Sequence, residues 1–251
     1  MAEKIRDGFQ ACLSILAALQ SSHGIVEIII VEIETELVEL HLEDGQPAGR
    51  VWVPDVLVPS PGQYFLASTR QLGEVLPAVI FPAGRGNGWL DLAPPLPSAW
   101  LAGTLLHLRG PLGRGFRLPV VRRVALAALD GITARLRLLW NQALVQGAEV
   151  ALFTRRIPAS LPDAVEVLPL ESLPDVSGWA EYLALDGTLP QVLEWKSRLA
   201  FPGVAVEALV NLPMPCGGMG ECGVCSVRTR RGWKHACQDG PVFDLHELEA
   251  L

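Results

Sequence analysis

The sequence has no uninterrupted apolar run near the roughly 18 residues of a membrane-spanning helix, although 50% of its 251 residues are hydrophobic. It lacks the features of an export signal, because Glu3 and Asp7 interrupt the basic charge of the first residues. Basic residues are the minority, with 20 Lys and Arg against 27 Asp and Glu, so the net charge is -7. This balance argues against a partner with a phosphate backbone. The sequence therefore predicts a globular protein with no membrane span and no nucleic-acid partner.

Cysteine is also scarce, and four of the five cysteines lie between positions 216 and 237. Such crowding at one end of a long chain is not typical of a disulfide framework and suits metal binding in a reducing compartment better. We therefore expect a cytoplasmic protein. The fifth cysteine, Cys12, lies on the apolar stripe of an amphipathic helix predicted within residues 1–24, and we leave it out of the site.

The periodicity of the remaining residues predicts three further units. Residues 25–118 contain short β-branched runs between turns, which predict an all-β barrel or sandwich. Residues 119–205 alternate strands with helices, which predicts a parallel α/β sheet. Residues 206–251 are rich in Gly and Cys and include a predicted hairpin at Arg231-Gly232. We expect this last unit to be too small to fold without its metal.

Within these units the pattern predicts individual strands and helices. Strands are predicted at residues 25–31, 36–42, 49–53, 64–67, 78–81 and 104–109 in the first unit, and at 121–129, 149–154, 165–168 and 181–185 in the second. Helices are predicted at residues 133–146 and 191–199.

The four crowded cysteines have the spacing C-x5-C-x2-C-x11-C. Three thiolates in one loop with a distant fourth is the arrangement of plant-type ferredoxins, whose first gap is one residue shorter. Glycines in such a loop let backbone amides approach a cofactor closely. We predict that a [2Fe-2S] cluster is ligated by Cys216, Cys222, Cys225 and Cys237, and that the backbone approaches it at Gly217, Gly220 and Gly223.

A zinc site with four cysteine ligands stays open as an alternative. Such sites favour two close thiolate pairs, whereas this chain offers only Cys222 and Cys225 as a close pair. A zinc ion also has no bridging sulfides to accept hydrogen bonds from the glycine-rich backbone. His235 lies near Cys237, but a Rieske centre needs two histidines in place of two cysteines, and all four cysteines are present here.

Three stretches resemble the electron-transfer subunit of dihydroorotate dehydrogenase B, a family of ferredoxin reductase-like proteins. They are PGQYF at residues 61–65, GPLGRGF at 110–116, and residues 214–243, which end in CQDGPVF. The resemblance covers roughly residues 25–251. It implies a flavin-reductase-like β-barrel, a Rossmann-like parallel α/β domain and a small C-terminal [2Fe-2S] domain. It also implies electron transfer between NADH, FAD, the cluster and a catalytic partner subunit that is itself a flavoprotein.

The flavin motif of that family is degenerate here. The family has RPxS, in which Arg contacts the FAD phosphate, and this chain has Phe81-Pro82-Ala83-Gly84. The charge-assisted phosphate contact is therefore missing, and Arg85 is the nearest candidate to replace it. The sequence leaves FAD open.

The nicotinamide motif is also degenerate. The family has a glycine-rich turn after the first strand of the α/β domain, and residues 127–133 read AALDGIT, with a single glycine. Asp130 is expected to cap the following helix and to repel a phosphate. The CGP motif near the nicotinamide corresponds here to Leu185-Asp186-Gly187. We therefore predict that NADH binding is lost or badly weakened.

Three hypotheses for the function follow. The first is an iron–sulfur electron-transfer subunit with no catalytic residues of its own, which serves a partner oxidoreductase. The second is a complete FAD-dependent NADH reductase subunit, and the third is a structural subunit that binds zinc.

Overall fold

The structure, a computed structural model, describes residues 31–69, 76–158, 161–176, 178–199 and 202–250. The predicted helix within residues 1–24, with Cys12, lies outside these residues, as does most of the strand predicted at 25–31. Over the described residues the chain forms two large sheets and one separate hairpin. None of the helices in this part of the chain is long and apolar enough to cross a membrane.

The first sheet is antiparallel and has the strand order β4-β3-β7-β1-β2-β6-β5 within the described residues. Its inward side chains alternate with exposed ones, most clearly in β1, where Ile33 and Leu37 are buried and the glutamates between them are exposed. The strands are β1 (Val31–Glu43), β2 (Gln46–Trp52), β3 (Tyr64–Ser68), β4 (Ala78–Ile80), β5 (Pro82–Gly86), β6 (Trp89–Leu92) and β7 (Leu105–Leu112). A 3-10 turn at Asp55–Leu57 follows β2.

The turn between β1 and β2 consists of the two residues Asp44 and Gly45. Both have positive φ, 50° and 74°, which is the geometry of a tight two-residue hairpin. Aspartate tolerates this left-handed region better than most residues, and Asp44 is the one non-glycine residue with positive φ in the described part of the chain. The turn therefore holds the Asp44 side chain at the tip of a long, fixed ribbon.

The second sheet has the order β10-β9-β8-β11-β12-β15, with every neighbouring pair parallel except β12 and β15. Counted within this sheet, the parallel strands run 3-2-1-4-5, the order of dinucleotide-binding folds. The strands are β8 (Arg123–Ala128), β9 (Glu149–Thr154), β10 (Val165–Pro169), β11 (Tyr182–Thr188), β12 (Ala205–Asn211) and β15 (Val242–Asp244). The helices are α1 (Arg137–Val145), preceded by a 3-10 turn at Ala134–Leu136, and α2 (Leu189–Arg198), with a further 3-10 helix at Leu170–Val176.

The two sheets confirm the predicted combination of an all-β unit and a parallel α/β unit. β8 is buried along almost its whole length, as expected for a strand covered on both faces. A capping box of Thr188 and Gln191 fixes the start of α2 directly after β11.

The C-terminal segment adds the hairpin strands β13 (Ser226–Thr229) and β14 (Gly232–His235) and the short helix α3 (Ala236–Asp239). The chain then returns to the second sheet as β15. The predicted boundary between residues 205 and 206 falls at the start of β12, which pairs with β11. The four predicted domain ranges stay a prediction.

Candidate iron–sulfur site

The four predicted ligands lie in two parts of the C-terminal segment. Cys216, Cys222 and Cys225 belong to the loop of residues 212–225, which joins β12 to β13, and we call this the cluster loop. Cys237 lies in α3, directly after the hairpin. Cys225 and Cys237 are buried, Cys216 is partly buried and Cys222 is exposed. The site is therefore anchored in the core on one side and reaches the surface at Cys222.

The thiols interact with one another: Cys216 with Cys222, and Cys237 with both Cys225 and Cys216. Burial raises the pKa of Cys237 to about 12, and its neighbour Cys225 contributes in the same direction. Both effects disfavour the negatively charged thiolate of Cys237. A bound metal reverses that effect, because a coordinating thiol loses its proton outright.

The surroundings of Cys216 in the cluster loop lower the pKa of its thiol. Burial by itself raises the pKa of this thiol, but the N–H of Gly220, the thiol of Cys222 and then the N–H groups of Cys222 and Met219 lower the pKa to about 6. The loop therefore favours the thiolate, which is the form that ligates a metal. Hydrogen bonds from backbone N–H groups to ligand sulfur are typical of iron–sulfur sites.

The glycines of the cluster loop have the conformation that this geometry requires. Gly217, Gly220 and Gly223 all have positive φ, at 68°, 77° and 71°. Gly220 is the most confined, since an added Cβ would lie 2.5 Å from the Gln238 side chain. The contact of these glycines with a cofactor stays a prediction, but their backbone is folded as the sequence predicted.

The first sheet fixes both parts of the site. Arg109 in β7 donates from Nη1 to the carbonyl oxygen of Gly217 at 2.8 Å. Tyr64 in β3 donates from its hydroxyl to the carbonyl oxygen of Cys237 at 3.1 Å, and both residues are buried. Arg109 and Tyr64 were not recognised from the sequence as part of the site.

The three resembling motifs meet at this point. The backbone N–H of Arg114, in the GPLGRGF turn, donates to the carbonyl oxygen of Gly240 at 2.5 Å. An added Cβ on Gly113 would lie 2.6 Å from that same oxygen. Since Tyr64 belongs to the PGQYF motif, all three motifs serve the packing of the C-terminal segment on the first sheet.

Among the described residues, no group of three or more His, Cys, Asp or Glu side chains is placed to hold a single metal ion. The case for a cofactor therefore depends on the donor chemistry. Four free cysteines within one C-terminal segment, together with loop glycines in the left-handed region, fit an iron–sulfur cluster.

The stretch that corresponds to the family's flavin motif is packed against protein side chains. Phe81, in place of the family's arginine, is buried against Tyr64, with the two ring centroids 6.0 Å apart. A side chain at Gly84 would approach the Asp91 carboxylate within 2.8 Å. Asp91 in turn accepts from Arg50 Nε at 2.8 Å, so this arginine is already paired. Arg85 lies in β5 beside Gly84, and its side chain is exposed.

The predicted nicotinamide site is lined by carboxylates. Asp130 was expected to cap the helix that follows β8, but it accepts from the N–H of Ile132 and from Arg135 instead. The amides of Thr133 and Ala134 donate to Asp44, which comes from the hairpin of the first sheet. The cap is therefore present, but a residue 89 positions away in the sequence supplies it.

Comparison with known proteins bears on the C-terminal segment first. Residues 213–249 match the family model described as the iron–sulfur cluster binding domain of dihydroorotate dehydrogenase B. The resemblance inferred from the sequence is confirmed. The match also confirms the prediction of an iron–sulfur cofactor, and the matched range includes all four cysteines of the site.

Two curated relatives extend the likeness over most of the chain. One is the probable dihydroorotate dehydrogenase B (NAD(+)) electron transfer subunit of Thermoplasma acidophilum, 26% identical, with 78% of this chain and 82% of the relative covered. The other is the sulfhydrogenase 1 subunit gamma of Pyrococcus furiosus, 25% identical, with 75% and 80% covered.

Solved structures confirm the fold. An NADH-dependent reduced ferredoxin-NADP oxidoreductase matches with a TM-score of 0.69 at 19% identity, covering 90% of this chain and 91% of that one. Phthalate dioxygenase reductase matches with a TM-score of 0.51 at 13% identity, covering 79% and 87%. The predicted ferredoxin reductase-like combination of β, α/β and iron–sulfur units is therefore correct.

Proposed function

We propose that this chain is an iron–sulfur electron-transfer subunit, which passes single electrons to or from a partner oxidoreductase. Cys216, Cys222, Cys225 and Cys237 would hold a [2Fe-2S] cluster. The observation that carries the proposal is the group of four free cysteines on the glycine-rich cluster loop and α3, within the residues that match the iron–sulfur family model. The cluster, when bound, supplies reversible one-electron chemistry.

The residues of this chain then have three tasks. The thiolates ligate iron, and the loop amides donate to sulfur, which stabilises negative charge at the site. Arg109 and Tyr64 fix the cluster loop and α3 on the first sheet. No acid, base or nucleophile is needed for this chemistry, and the sequence offers no catalytic constellation.

A protein partner would approach where the site reaches the surface. The hydrophobic side chains of Met219, Val224 and Trp233 are exposed near Cys222 in the sequence. Two of the curated relatives are named as subunits of larger enzymes, a dihydroorotate dehydrogenase and a sulfhydrogenase. We infer that the partner is a catalytic oxidoreductase subunit, itself a flavoprotein, and that both work in the cytoplasm, where thiols stay reduced.

A flavin-dependent NADH reductase is the second candidate. It is favoured by a cavity of about 390 Å³ beside the cluster loop, lined by Val79 of β4, by residues 76–77 and by residues 211–215. The degenerate phosphate contacts at Phe81 and Gly84 weigh against it.

The test is cofactor analysis of protein purified without oxygen. Iron, sulfide, zinc and flavin are quantified, and visible and EPR spectra are recorded before and after dithionite. Two irons per chain and a signal from the reduced state support the proposal. Zinc without iron would identify a structural subunit, and bound FAD would favour the second candidate.

Single cysteine variants identify the ligands. Cys222→Ser and Cys237→Ser are each expected to lower the iron content and to change the spectrum, because serine is a poor replacement for a thiolate ligand. Cys12→Ser is the matched control and should leave iron unchanged. Equal loss of iron in all three variants would contradict the ligand assignment.

A further inference from the structure

The crevice where this fold binds nucleotides lies between β8 and β11. In open α/β sheets, ligands bind at the carboxyl ends of strands where the strand order reverses, and here β9 and β11 flank β8. A dinucleotide pyrophosphate would sit on the amides that begin the helical segment after β8. In this chain those amides belong to Thr133 and Ala134.

The carboxylate of Asp44 already accepts these amides. Its Oδ2 accepts from the N–H of Thr133 at 2.8 Å and from the N–H of Ala134 at 3.2 Å. The Thr133 hydroxyl donates to both carboxylate oxygens, at 3.2 and 3.1 Å. Asp44 is 7% exposed and Thr133 is 1% exposed, so water does not compete for this contact. A phosphate at this position would have to displace a buried, fully paired carboxylate.

Neighbouring ion pairs hold the Asp44 turn in place. The guanidinium of Arg156, after β9, donates to the Asp44 carbonyl oxygen, and Arg137 in α1 pairs with Glu43. These contacts join the hairpin of the first sheet to the second sheet. The turn cannot leave the crevice without breaking them.

At the floor of the crevice, Arg135 forms ion pairs with two aspartates. Arg135 is 2% exposed and donates from Nε to the Asp186 carboxylate at 2.8 Å and from Nη2 to Asp130 at 2.5 Å. Asp186, in β11, is fully buried. An entering phosphate would meet the carboxylates of Asp44 and Asp130. The nearby arginines are already paired, Arg135 with Asp130 and Asp186, and Arg137 with Glu43. Like charges at such distances repel strongly where water is excluded.

We propose that the Asp44 carboxylate takes the place of the nucleotide phosphate, so that this chain accepts no hydride from NADH or NADPH at this crevice. Resting on the proposed function, the inference means that electrons reach and leave the cluster through protein partners alone. The helix amides, the hairpin turn and the Arg135 ion pairs together carry it.

The test is backbone hydrogen exchange at Thr133 and Ala134 in the full-length, cluster-loaded protein. Adding NADH or ADP-ribose in large excess is expected to leave exchange at both amides unchanged. Asp44→Ala is expected to speed exchange there about tenfold, the equivalent of 1.4 kcal/mol. Asp44→Asn, which keeps one acceptor oxygen, should give a smaller increase and guards against a variant that fails to fold.

Asp55→Ala is the matched control, because Asp55 is also a turn carboxylate that accepts one backbone N–H, from Gly88, but on the surface. It should not change exchange at Thr133. The proposal is overturned if NADH or ADP-ribose slows exchange at Thr133 in the wild type, or if NADH alone reduces the cluster. Either result leaves the proposed function intact. The proposed function fails instead if the purified protein contains no iron.

Discussion

Replacing Tyr64 with Phe should loosen the cluster site, because this hydroxyl connects the first sheet to the residue of a ligand. Tyr64 donates to the Cys237 carbonyl oxygen at 3.1 Å across 173 positions of sequence. Burial raises the pKa of Tyr64, so the hydroxyl keeps its proton and remains a donor. The change removes only the oxygen and keeps the ring.

The magnitude follows from the burial of both partners. Tyr64 is 0% exposed and Cys237 is 3% exposed, so water cannot replace the lost donor. Leaving a buried acceptor unpaired costs about 1–3 kcal/mol, and we expect the free energy of unfolding to fall by that amount. If the lost stability lowers the free energy of local unfolding at the cluster site, iron release should speed up about tenfold for each 1.4 kcal/mol lost.

The assay measures urea unfolding and the rate of iron transfer to a chelator. Tyr182→Phe is the matched control, since Tyr182 is equally buried and donates to Glu207 at 2.6 Å in the second sheet. Both variants should lose stability, but only Tyr64→Phe should release iron faster. Equal iron release from the two variants would refute a specific coupling between the first sheet and the cluster site.

Three further predictions concern the cluster loop and the crevice. In Gly220→Ala, an alanine would have φ of 77° and a Cβ 2.5 Å from Gln238, so we expect the free energy of unfolding to fall by about 1–2 kcal/mol and the iron content to fall. Gly232→Ala is the control: it has φ of 100° but no atom within 4 Å of the added Cβ, and it should retain its iron. Burial raises the pKa of Asp186 to about 7, so between its ordinary pKa of 3.8 and pH 7 the folded state holds a proton that the unfolded state has released. The stability that this proton contributes is complete below pH 3.8 and is lost as pH rises through 7. The free energy of unfolding in urea should therefore fall with rising pH in the wild type but not in Asp186→Asn. If it depends on pH in the same way in both proteins, Asp186 does not hold a proton in the folded state. Removing iron with a chelator should speed hydrogen exchange in the cluster loop and leave the far-UV circular dichroism of the two sheets unchanged.

Several strands could be read from the sequence because their local pattern decides them. The predicted strand at residues 149–154 coincides with β9, and the predicted strand at 165–168 ends one residue short of β10. β5 was missed, since Pro82, Gly84 and Gly86 break the β-branched pattern, and pairing with β6 forms this strand instead. β12 was missed because the change in composition toward glycine and cysteine suggested a boundary at its start.

The cysteine site and the Asp44 crevice also differ in how much of each could be predicted from local sequence. The ligand cysteines are close in sequence, so their spacing alone predicts a site. The contact between Asp44 and Thr133 joins different sheets and depends on how they pack, which no local pattern encodes. A local signal did exist, because Asp44-Gly45 between two apolar alternating runs is a strong hairpin signal that fixes Asp44 at the tip. The partner of that tip became visible only in the folded chain.

The C-terminal segment was expected to need its metal in order to fold; this stays a prediction, and its packing shows a second source of stability. β15 pairs with β12, and the buried side chains of Val242, Phe243 and Leu245 belong to the same apolar core as β8 and β12. A module that buries its apolar residues in a neighbour's core takes part of its stability from that core, in addition to what metal ligation contributes. Since Asp44 also joins the first sheet to the second, the ligand residues are held by two sheets that contact each other directly.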